Sequence, residues 1–479
     1  MPNIFPILQK LHPVLSFTNI RRLHRIVAAM LCLSGRITQL SISRWAGKGG
    51  SYRSVQRFFQ SQITWREVLW LLFKQFLYRS DATYLLVGDE TVIGKSGKKT
   101  HGLDRFYSSI FQKPIAGLAF FTFALVSVQQ RQAYPLCAEQ VERSDSEKEQ
   151  ARQQKEKRKA SAVSAGKKNL EAKKTETKKK AGRPAGSKNK NKSETVLSAE
   201  LERILLWGQQ VLAMVGGKIC LRHLVLDGHF GNHPACHMAQ RLGLHLISKM
   251  RTDAALFREP TEDQKKEHPR LKYGDKLDYG HLPGALRVSS QDEGGIRTEV
   301  FQVRRCWHRD FAGMVNVVII VKTNLDTGRW GHVILFSSDL DLEASTLIDY
   351  YQLRFQIEFD FRDAKQHWGL DDFMAVSKTA VTNAVGLSFF MVDLSAYLLE
   401  HLRQGYAQAG INDLKSYFRG RRYVDETIKC LPDLPDTIVW RSVWDQVCLL
   451  GFIHPTAKTG QYCSPKAFQT THAAMDRAA

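Results

Sequence analysis

The sequence predicts a layered α/β core that is interrupted by a β subdomain and flanked by helical N- and C-terminal regions. Short apolar runs with the length of buried strands alternate with helical patterns between about residues 81 and 375. Turns containing Gly and Pro separate β-type runs between residues 251 and 336. Apolar residues recur at helical spacing before residue 80 and after residue 376.

The charge of the chain points to a polyanionic partner. The chain has 479 residues and a net charge of +22, which favours nucleic acid over most other partners. An acidic membrane surface is the rival, but we expect no membrane partner because the longest apolar run, Ile115 to Val128, is too short to span. The 8 cysteines form no C-x-x-C pair and no signal peptide pattern is present, so we expect a cytoplasmic protein.

Residues 1–80 are predicted to form a helical DNA-binding domain. Basic residues are interspersed among its apolar positions, and Ser41 to Phe59 could hold a helix-turn-helix whose second helix begins at Tyr52. A helical bundle with a solvated basic face fits the same pattern equally well.

The predicted catalytic core comprises residues 81–142, 196–250 and 337–375. Two apolar strands in it each end in an aspartate: Tyr84 to Gly88 is followed by Asp89, and Ile219 to Leu226 by Asp227. Residues 251–336 form the predicted inserted β subdomain, and residues 376–479 a helical region in which the apolar stretch Val381 to Leu402 offers packing or dimer surface.

One long helix is predicted over Leu342 to Trp368. It carries four polar residues that fall within about one sixth of the helix circumference, beside an apolar stripe: Tyr351, Arg354, Glu358 and Lys365. A carboxylate on this face could meet the two aspartates at the strand ends. Such a set of hard, anionic oxygen ligands suits two Mg²⁺ ions, with Mn²⁺ as a substitute. Taken singly, however, an aspartate at a strand end is more often a cap, and a glutamate beside Arg and Lys an ion-paired surface group.

These residues carry a family resemblance. The spacing Tyr351-x2-Arg354-x3-Glu358-x6-Lys365 resembles the Y-R-E-K signature of insertion-sequence transposases of the DDE class, of the insertion-sequence-four type. The segments around the two aspartates resemble the family's first and second blocks: Gly88-Asp89-Glu90-Thr91, Gly94-Lys95-Ser96-Gly97-Lys98 and Leu224-Val225-Leu226-Asp227-Gly228. Glu90 departs from the usual second Asp, and strand alternation should point it away from Asp89.

The resemblance implies a ribonuclease-H-like core and a transposase that cleaves and joins DNA strands. Asp89, Asp227 and Glu358 would be the catalytic metal ligands, and a homodimer would hold double-stranded DNA, both element ends and target, in association with the bacterial nucleoid. The other three signature residues would contact DNA near the cut. A Trp of the inserted subdomain would receive a flipped base, and Trp330 is the first choice, Trp307 the second; a packed Trp330 is equally compatible with the sequence.

Residues 143–195 are expected to form a basic, disordered insertion. They contain 18 Lys or Arg against 7 Asp or Glu, a net charge of +11 out of +22 for the chain, and almost no large apolar residue. Gly182-Arg183-Pro184 resembles the core of an AT-hook, in which Arg183 would enter a narrow minor groove. A charged tether without sequence preference is the alternative.

Two further alternatives follow from the residues. Cys220-x2-His223 and His233-x2-Cys236 have zinc-like spacing, but Cys220 and His223 fall on opposite faces of a predicted strand, which disfavours structural zinc. A DNA-binding protein that has lost catalysis is the alternative to an active enzyme, and the presence of all three carboxylates disfavours it. A host nuclease on the same core is disfavoured by the Y-R-E-K helix.

Overall fold

A computed structural model describes residues 2–108, 111–149, 195–432 and 437–454, together with 153 and 156. Its helices, in chain order, are α1 Ile4–Gln9, α2 Phe17–Cys32, α3 Gln39–Trp45, α4 Tyr52–Phe59, α5 Trp65–Leu72, α6 Ala199–Val215, α7 His233–Arg241, α8 Glu262–Glu267, α9 Ala344–Leu353, α10 Gln356–His367, α11 Lys378–Arg403, α12 Ile411–Ile428 and α13 Thr437–Cys448. Its strands are β1 Tyr84–Gly94, β2 Asp104–Ser108, β3 Lys113–Ser127, β4 Gln132–Gln140, β5 His223–Val225, β6 His245–Met250, β7 Leu256–Phe257, β8 Arg287–Glu293, β9 Ile296–His308, β10 Met314–Asn324 and β11 Trp330–Ser337.

The chain forms two compact units. The helical unit comprises Met1–Tyr78, Asp363–Ala375 and Thr379–Ala479, and the sheet unit comprises Arg79–Arg362 and Val376–Lys378. The N- and C-terminal helical regions therefore belong to one unit. Buried Asn383 of α11 joins them, because it accepts a hydrogen bond from Trp65 Nε1 at 2.8 Å and donates one to the carbonyl of Phe59 at 2.8 Å.

Local capping explains where the N-terminal helices begin. The side chains of Ser16, Thr38 and Ser51 accept backbone N–H groups in the first turns of α2, α3 and α4. The turn between α3 and α4 contains Gly47 and Gly49, both at positive φ, a conformation that glycine adopts without strain. The second helix of the predicted helix-turn-helix begins at Tyr52 as expected, and the first begins at Gln39.

The sheet unit is built on one mixed sheet, which confirms the predicted α/β class and is compatible with a ribonuclease-H-like core. The strand order is β2-β3-β1-β5-β6-β11-β10-β9-β7, with β4 paired to β3 and β8 to β9. The strands β1, β5 and β6 run parallel, and the other pairs are antiparallel. The strands after residue 251 do not form a separate sheet, since β11 pairs with β6 and continues the core sheet.

Two strand ends differ from the sequence expectation. The strand β1 does not stop before Asp89 but runs through it to Gly94, because β3 pairs with it antiparallel along its whole length. The strand β5 spans only His223–Val225, although the apolar run around it is longer. Those three residues are the ones with a registered partner on β6.

The predicted single helix over Leu342 to Trp368 is wrong, because it is broken into α9 and α10. At the break, Arg354 and Phe355 lie in a tight turn: the backbone N–H of Arg354 bonds to Tyr351 O at 3.2 Å and that of Phe355 to Gln352 O at 3.1 Å. The apolar stripe is nevertheless buried as expected, with Leu353 and Ile357 at 0% exposure.

Among the described residues, one helix is long and apolar enough to cross a membrane. This helix is α11, and 83% of its most apolar stretch is buried inside the protein. The expectation that no segment reaches this length and hydropathy is therefore wrong. Burial of this kind is the pattern of a core helix.

Candidate active site

The parallel pairing of β1 with β5 brings the two aspartates together. Leu86 pairs with Leu224 and Val87 with Val225, so Asp89 on β1 and Asp227, two residues after β5 ends, follow the paired positions at the same end of the sheet. Parallel neighbouring strands lie about 4.8 Å apart, and their carboxyl ends meet at the same end of the sheet. The sheet therefore holds both carboxylates at one position.

Asp227 has a structural role as well. It caps a short 3-10 helix over Gly228–Phe230, with its Oδ1 accepting the backbone N–H of His229 at 3.1 Å. Its backbone carbonyl accepts the hydroxyl of Ser248 at 2.6 Å. The capping interpretation of this aspartate is thus correct, and it leaves Oδ2 for another ligand.

Arg354 links the first aspartate to the glutamate. Its Nη1 donates to Asp89 Oδ2 at 2.7 Å, and its Nη2 donates to Glu358 Oε1 at 2.8 Å. The Arg354 side chain is 15% exposed, against 19% for Asp89 and 38% for Glu358. The ion-paired alternative for a glutamate beside an arginine therefore describes Glu358 and Arg354 as they are placed, and the contact of Arg354 with DNA stays a prediction.

The three carboxylates act on one another electrostatically. Burial raises the pKa of Asp89 to about 6, opposed by the Arg354 guanidinium and reinforced by the charges of Asp227 and Glu358. Burial likewise raises the pKa of Tyr351, whose hydroxyl is hydrogen-bonded to Arg354. Tyr351, Arg354 and the three acids therefore form one interacting cluster.

The chemistry of the three carboxylates fits a divalent metal ion. In the structure, the guanidinium of Arg354 pairs with two of them. Three carboxylates are the hard oxygen ligands that Mg²⁺ and Mn²⁺ take. Across the described part of the chain, no three Asp, Glu, His or Cys side chains stand close enough as placed to enclose an ion. The Arg354 fork supplies the positive charge that the converging acids require.

The remaining signature residue, Lys365, lies on α10 but belongs to the helical unit, whereas Glu358 belongs to the sheet unit. Burial lowers the pKa of Lys365, and Asp371 acts in the opposite direction. Arg183, the AT-hook position, lies outside the described residues.

Trp330 is the more accessible of the two tryptophans considered. It is 50% exposed and stacks on His332 with ring centroids 5.6 Å apart, and His332 stacks on Tyr279 at 4.6 Å. Because Ile334 pairs with Met250 at the end of β6, Trp330 projects beyond the carboxyl ends of the parallel strands, by about 13 Å at the usual rise per residue. Trp307 is covered by Lys272, whose Nζ lies 4.2 Å from the ring centroid.

The zinc-like spacing does not form a site. His223 bonds to Asp339 through Nε2 at 3.0 Å. Cys236 is buried, and burial raises the pKa of its thiol to about 11, which disfavours the thiolate that zinc requires. These residues have ordinary structural partners.

The sequence reasoning missed several residues that shape the site. Ser248 on β6 fixes the backbone of Asp227, and His229 approaches Glu200 at 3.3 Å beside it. Next to Glu358, Phe355 and Phe359 form an edge-to-face pair and are 48% and 37% exposed. The sequence did contain a signal for Phe355 and Phe359, because two aromatic residues stand there between charged positions of a predicted helix.

Comparison with known families agrees with this geometry. A family model described as DDE superfamily endonuclease matches residues 10–306 of the chain. The match includes Asp89 and Asp227 and ends before Glu358. No curated protein matches the chain in sequence.

Proposed function

Because the chain belongs to the DDE superfamily of endonucleases, we propose that it is a transposase that cleaves DNA at the ends of an insertion sequence and transfers the strands to a target. The observation that carries the proposal is that Asp89 and Asp227 lie close enough at one end of the sheet to act on each other electrostatically, with Arg354 joining Asp89 to Glu358. The spacing of Tyr351, Arg354, Glu358 and Lys365 supports the insertion-sequence-four type as the kind of transposase that we propose.

Asp89, Asp227 and Glu358 are the proposed ligands of two Mg²⁺ ions, for which Mn²⁺ would substitute. DDE enzymes generally use divalent metal ions. Such ions, when bound, lower the pKa of water or a 3′-hydroxyl and stabilise the leaving oxygen. The three carboxylates would hold the ions, and their partial burial would reduce the screening of their charge by water.

The other proposed roles concern DNA. Tyr351, Arg354 and Lys365 contact the strand near the cut, and Arg354 can offer a phosphate the same fork that it offers the carboxylates. Trp330 accepts a flipped base on its open face. A homodimer holds the two element ends, which places the protein on DNA in the bacterial cytoplasm.

Two further segments are proposed to bind DNA. The N-terminal helices contribute a DNA-binding domain, and residues 143–195, with Arg183 in an AT-hook-like core, contribute a basic arm. The arm's net charge of +11 would displace counterions from DNA, each phosphate contributing about −0.9 to the slope of log affinity against log salt.

The test replaces each carboxylate singly, as Asp89→Asn, Asp227→Asn and Glu358→Gln. With DNA that flanks the gene, in Mg²⁺ or Mn²⁺, we expect each variant to lose cleavage by at least about 1,000-fold, since one missing ligand collapses a two-metal site. Duplex binding in a gel-shift assay should persist. Asp326→Asn, at an exposed position in a turn, is the matched control and should cleave normally.

Cleavage by Glu358→Gln at the wild-type rate would refute the active-site assignment. Sequence-selective binding by the wild-type protein, with no cleavage in either metal, would favour the catalytically inactive DNA-binding protein. Inverted repeats bracketed by short direct duplications around the gene would support transposition over a host nuclease.

A further inference from the structure

The first 66 residues of the chain contain 10 Lys or Arg and no Asp or Glu. The whole chain has 69 basic residues against 47 acidic ones, so an acid-free stretch of this length departs sharply from the rest. Its helices are amphipathic, and their apolar faces are buried in the helical unit. The basic residues therefore have no acidic neighbour within this stretch of the chain.

Several of these residues converge on a cavity of about 540 Å³. The side chains that matter for its chemistry are Thr18, Arg21, Arg22, Arg25, Gly49 and Ser54. The first four come from α2, and the last two from the turn before α4 and from α4 itself. We call this cavity the arginine pocket.

The arginines of the pocket have only neutral partners among the described residues. The Arg21 guanidinium lies over the ring of Phe17, 4.5 Å from its centroid, and Arg22 donates to Asn19 Oδ1 at 3.3 Å. Burial lowers the pKa of neighbouring His24, and the positive charge of Arg25 adds to this effect. Three arginines without acidic partners in the ranges that the structure describes therefore line the pocket, an arrangement that suits an anion.

The floor of the pocket lets a bulky anion approach. Gly49 has φ +87, and a Cβ there would meet only Arg25 Nε, at 3.9 Å. Beside it, α4 buries Val55, Phe58 and Phe59 and exposes the opposite face. The exposed face presents hydrogen-bonding side chains: Tyr52, Arg53, Gln56 and Arg57.

We propose that the arginine pocket binds a backbone phosphate of duplex DNA and that this contact directs the exposed face of α4 into a groove. Arginine forks match phosphate oxygens, and phosphate contacts set the register of a protein on DNA. Arg and Gln on a helix are the side chains that read guanine and adenine edges. The inference rests on the proposed function, because it assigns part of the DNA binding that a transposase requires to a site separate from the three carboxylates.

The test compares two charge-matched double variants of the full-length protein. Arg21→Gln/Arg25→Gln changes the pocket, and Lys10→Gln/Lys74→Gln removes two exposed charges of the same unit. Fluorescence anisotropy with a random-sequence duplex should show at least about a 10-fold loss of affinity for the pocket variant, and a salt slope flatter by about one to two. The control should lose less than about 3-fold.

Equal losses in the two variants would overturn the inference, since net charge alone would then explain binding. Retained affinity in the pocket variant, or preferential binding of the wild-type protein to phosphatidylglycerol vesicles over duplex, would also overturn it. Loss of binding in the pocket variant with no cleavage by the wild-type protein would leave the pocket in place and refute the proposed catalysis. Cleavage that depends on Asp89, with unchanged binding by the pocket variant, would support the proposed catalysis and refute the role of the arginine pocket.

Discussion

Arg354 has two carboxylate partners inside the protein, whereas Arg21 and Arg25 have no acidic partner in the described part of the chain. The first arginine is mostly buried between acids, and the other two are exposed around a cavity. Arginine therefore has two different roles in this protein. In the carboxylate site it balances charges that folding has brought together, and in the pocket it leaves charge for a ligand to balance.

The comparison predicts opposite effects on stability. An internal ion pair with good geometry leaves uncompensated charge when one partner is removed. An arginine surrounded by other cations adds repulsion to the folded protein, and its removal costs little.

The largest effect is expected for Arg354→Gln in the metal-free protein. The change leaves Asp89 and Glu358 without their shared cation, which should destabilise the sheet unit by about 2 kcal/mol. The melting temperature in EDTA should fall by about 4–8 °C. Millimolar Mg²⁺ should raise it more in the variant than in the wild-type protein, because a metal would compensate the same carboxylates.

Arg131→Gln is the matched control for this measurement. Arg131 pairs with Asp349 at 2.7 Å, but the two side chains are 51% and 35% exposed, so the change should cost less than about 0.5 kcal/mol. Equal losses for the two variants would show that the Arg354 fork is no more than a surface ion pair.

A smaller effect, this time a gain in stability, is expected for Asp393→Asn on α11. Asp393 is 0% exposed, and neither carboxylate oxygen has a hydrogen-bond partner among the described residues. Burial therefore raises its pKa well above the ordinary value. This acid has neither an internal partner nor solvent, and removing its ability to ionise should stabilise the helical unit.

The sign of this effect depends on pH. A raised pKa means that the folded state keeps a proton that the unfolded state releases, so the stability contributed by the wild-type acid falls as pH rises above about 4. The gain in free energy of unfolding of Asp393→Asn should widen between pH 5 and pH 8, by at most about 1.4 kcal/mol per pH unit, and the gain in melting temperature should widen with it. A gain that does not change with pH would contradict the buried, protonated state.

The smallest effect is expected for the stability of Arg21→Gln/Arg25→Gln. Relief of repulsion should leave its melting temperature unchanged or slightly higher, within about 0.5 kcal/mol. Thermal melting without DNA measures this. A fall of several degrees would mean that the pocket arginines have a structural role and would erase the contrast with Arg354.

Much of this arrangement could be predicted from local patterns. The apolar runs before Asp89 and Asp227 identified two neighbouring strands, and the spacing to Glu358 identified the helix that faces them. Local patterns could not predict that the helix breaks at Arg354, because nothing in the apolar periodicity of Leu353 and Ile357 changes there. At the break, Arg354 makes a long-range ion pair with a residue 265 positions earlier, a contact that local patterns do not encode.

The pairing of strands was the second feature that the sequence could not predict. The run from Ile219 to Leu226 is apolar throughout, but only its centre lies opposite residues of β6, and the pairing length depends on that neighbour. The junction of β11 with β6 likewise joins segments that are distant in sequence. The turn and strand patterns predicted an inserted β segment. They did not indicate that its strands would extend the core sheet.

That junction limits how the protein can be re-engineered. Ser337 to Ile334 pair with Ile247 to Met250, so β6 has a hydrogen-bonded neighbour on each side. Excising residues 251–336 would strip one side of β6 and leave an open, apolar edge available to other chains. Unprotected edges of this kind drive aggregation. The inserted strands are thus not a detachable module, and a minimal version of the enzyme would need a substitute strand in their place.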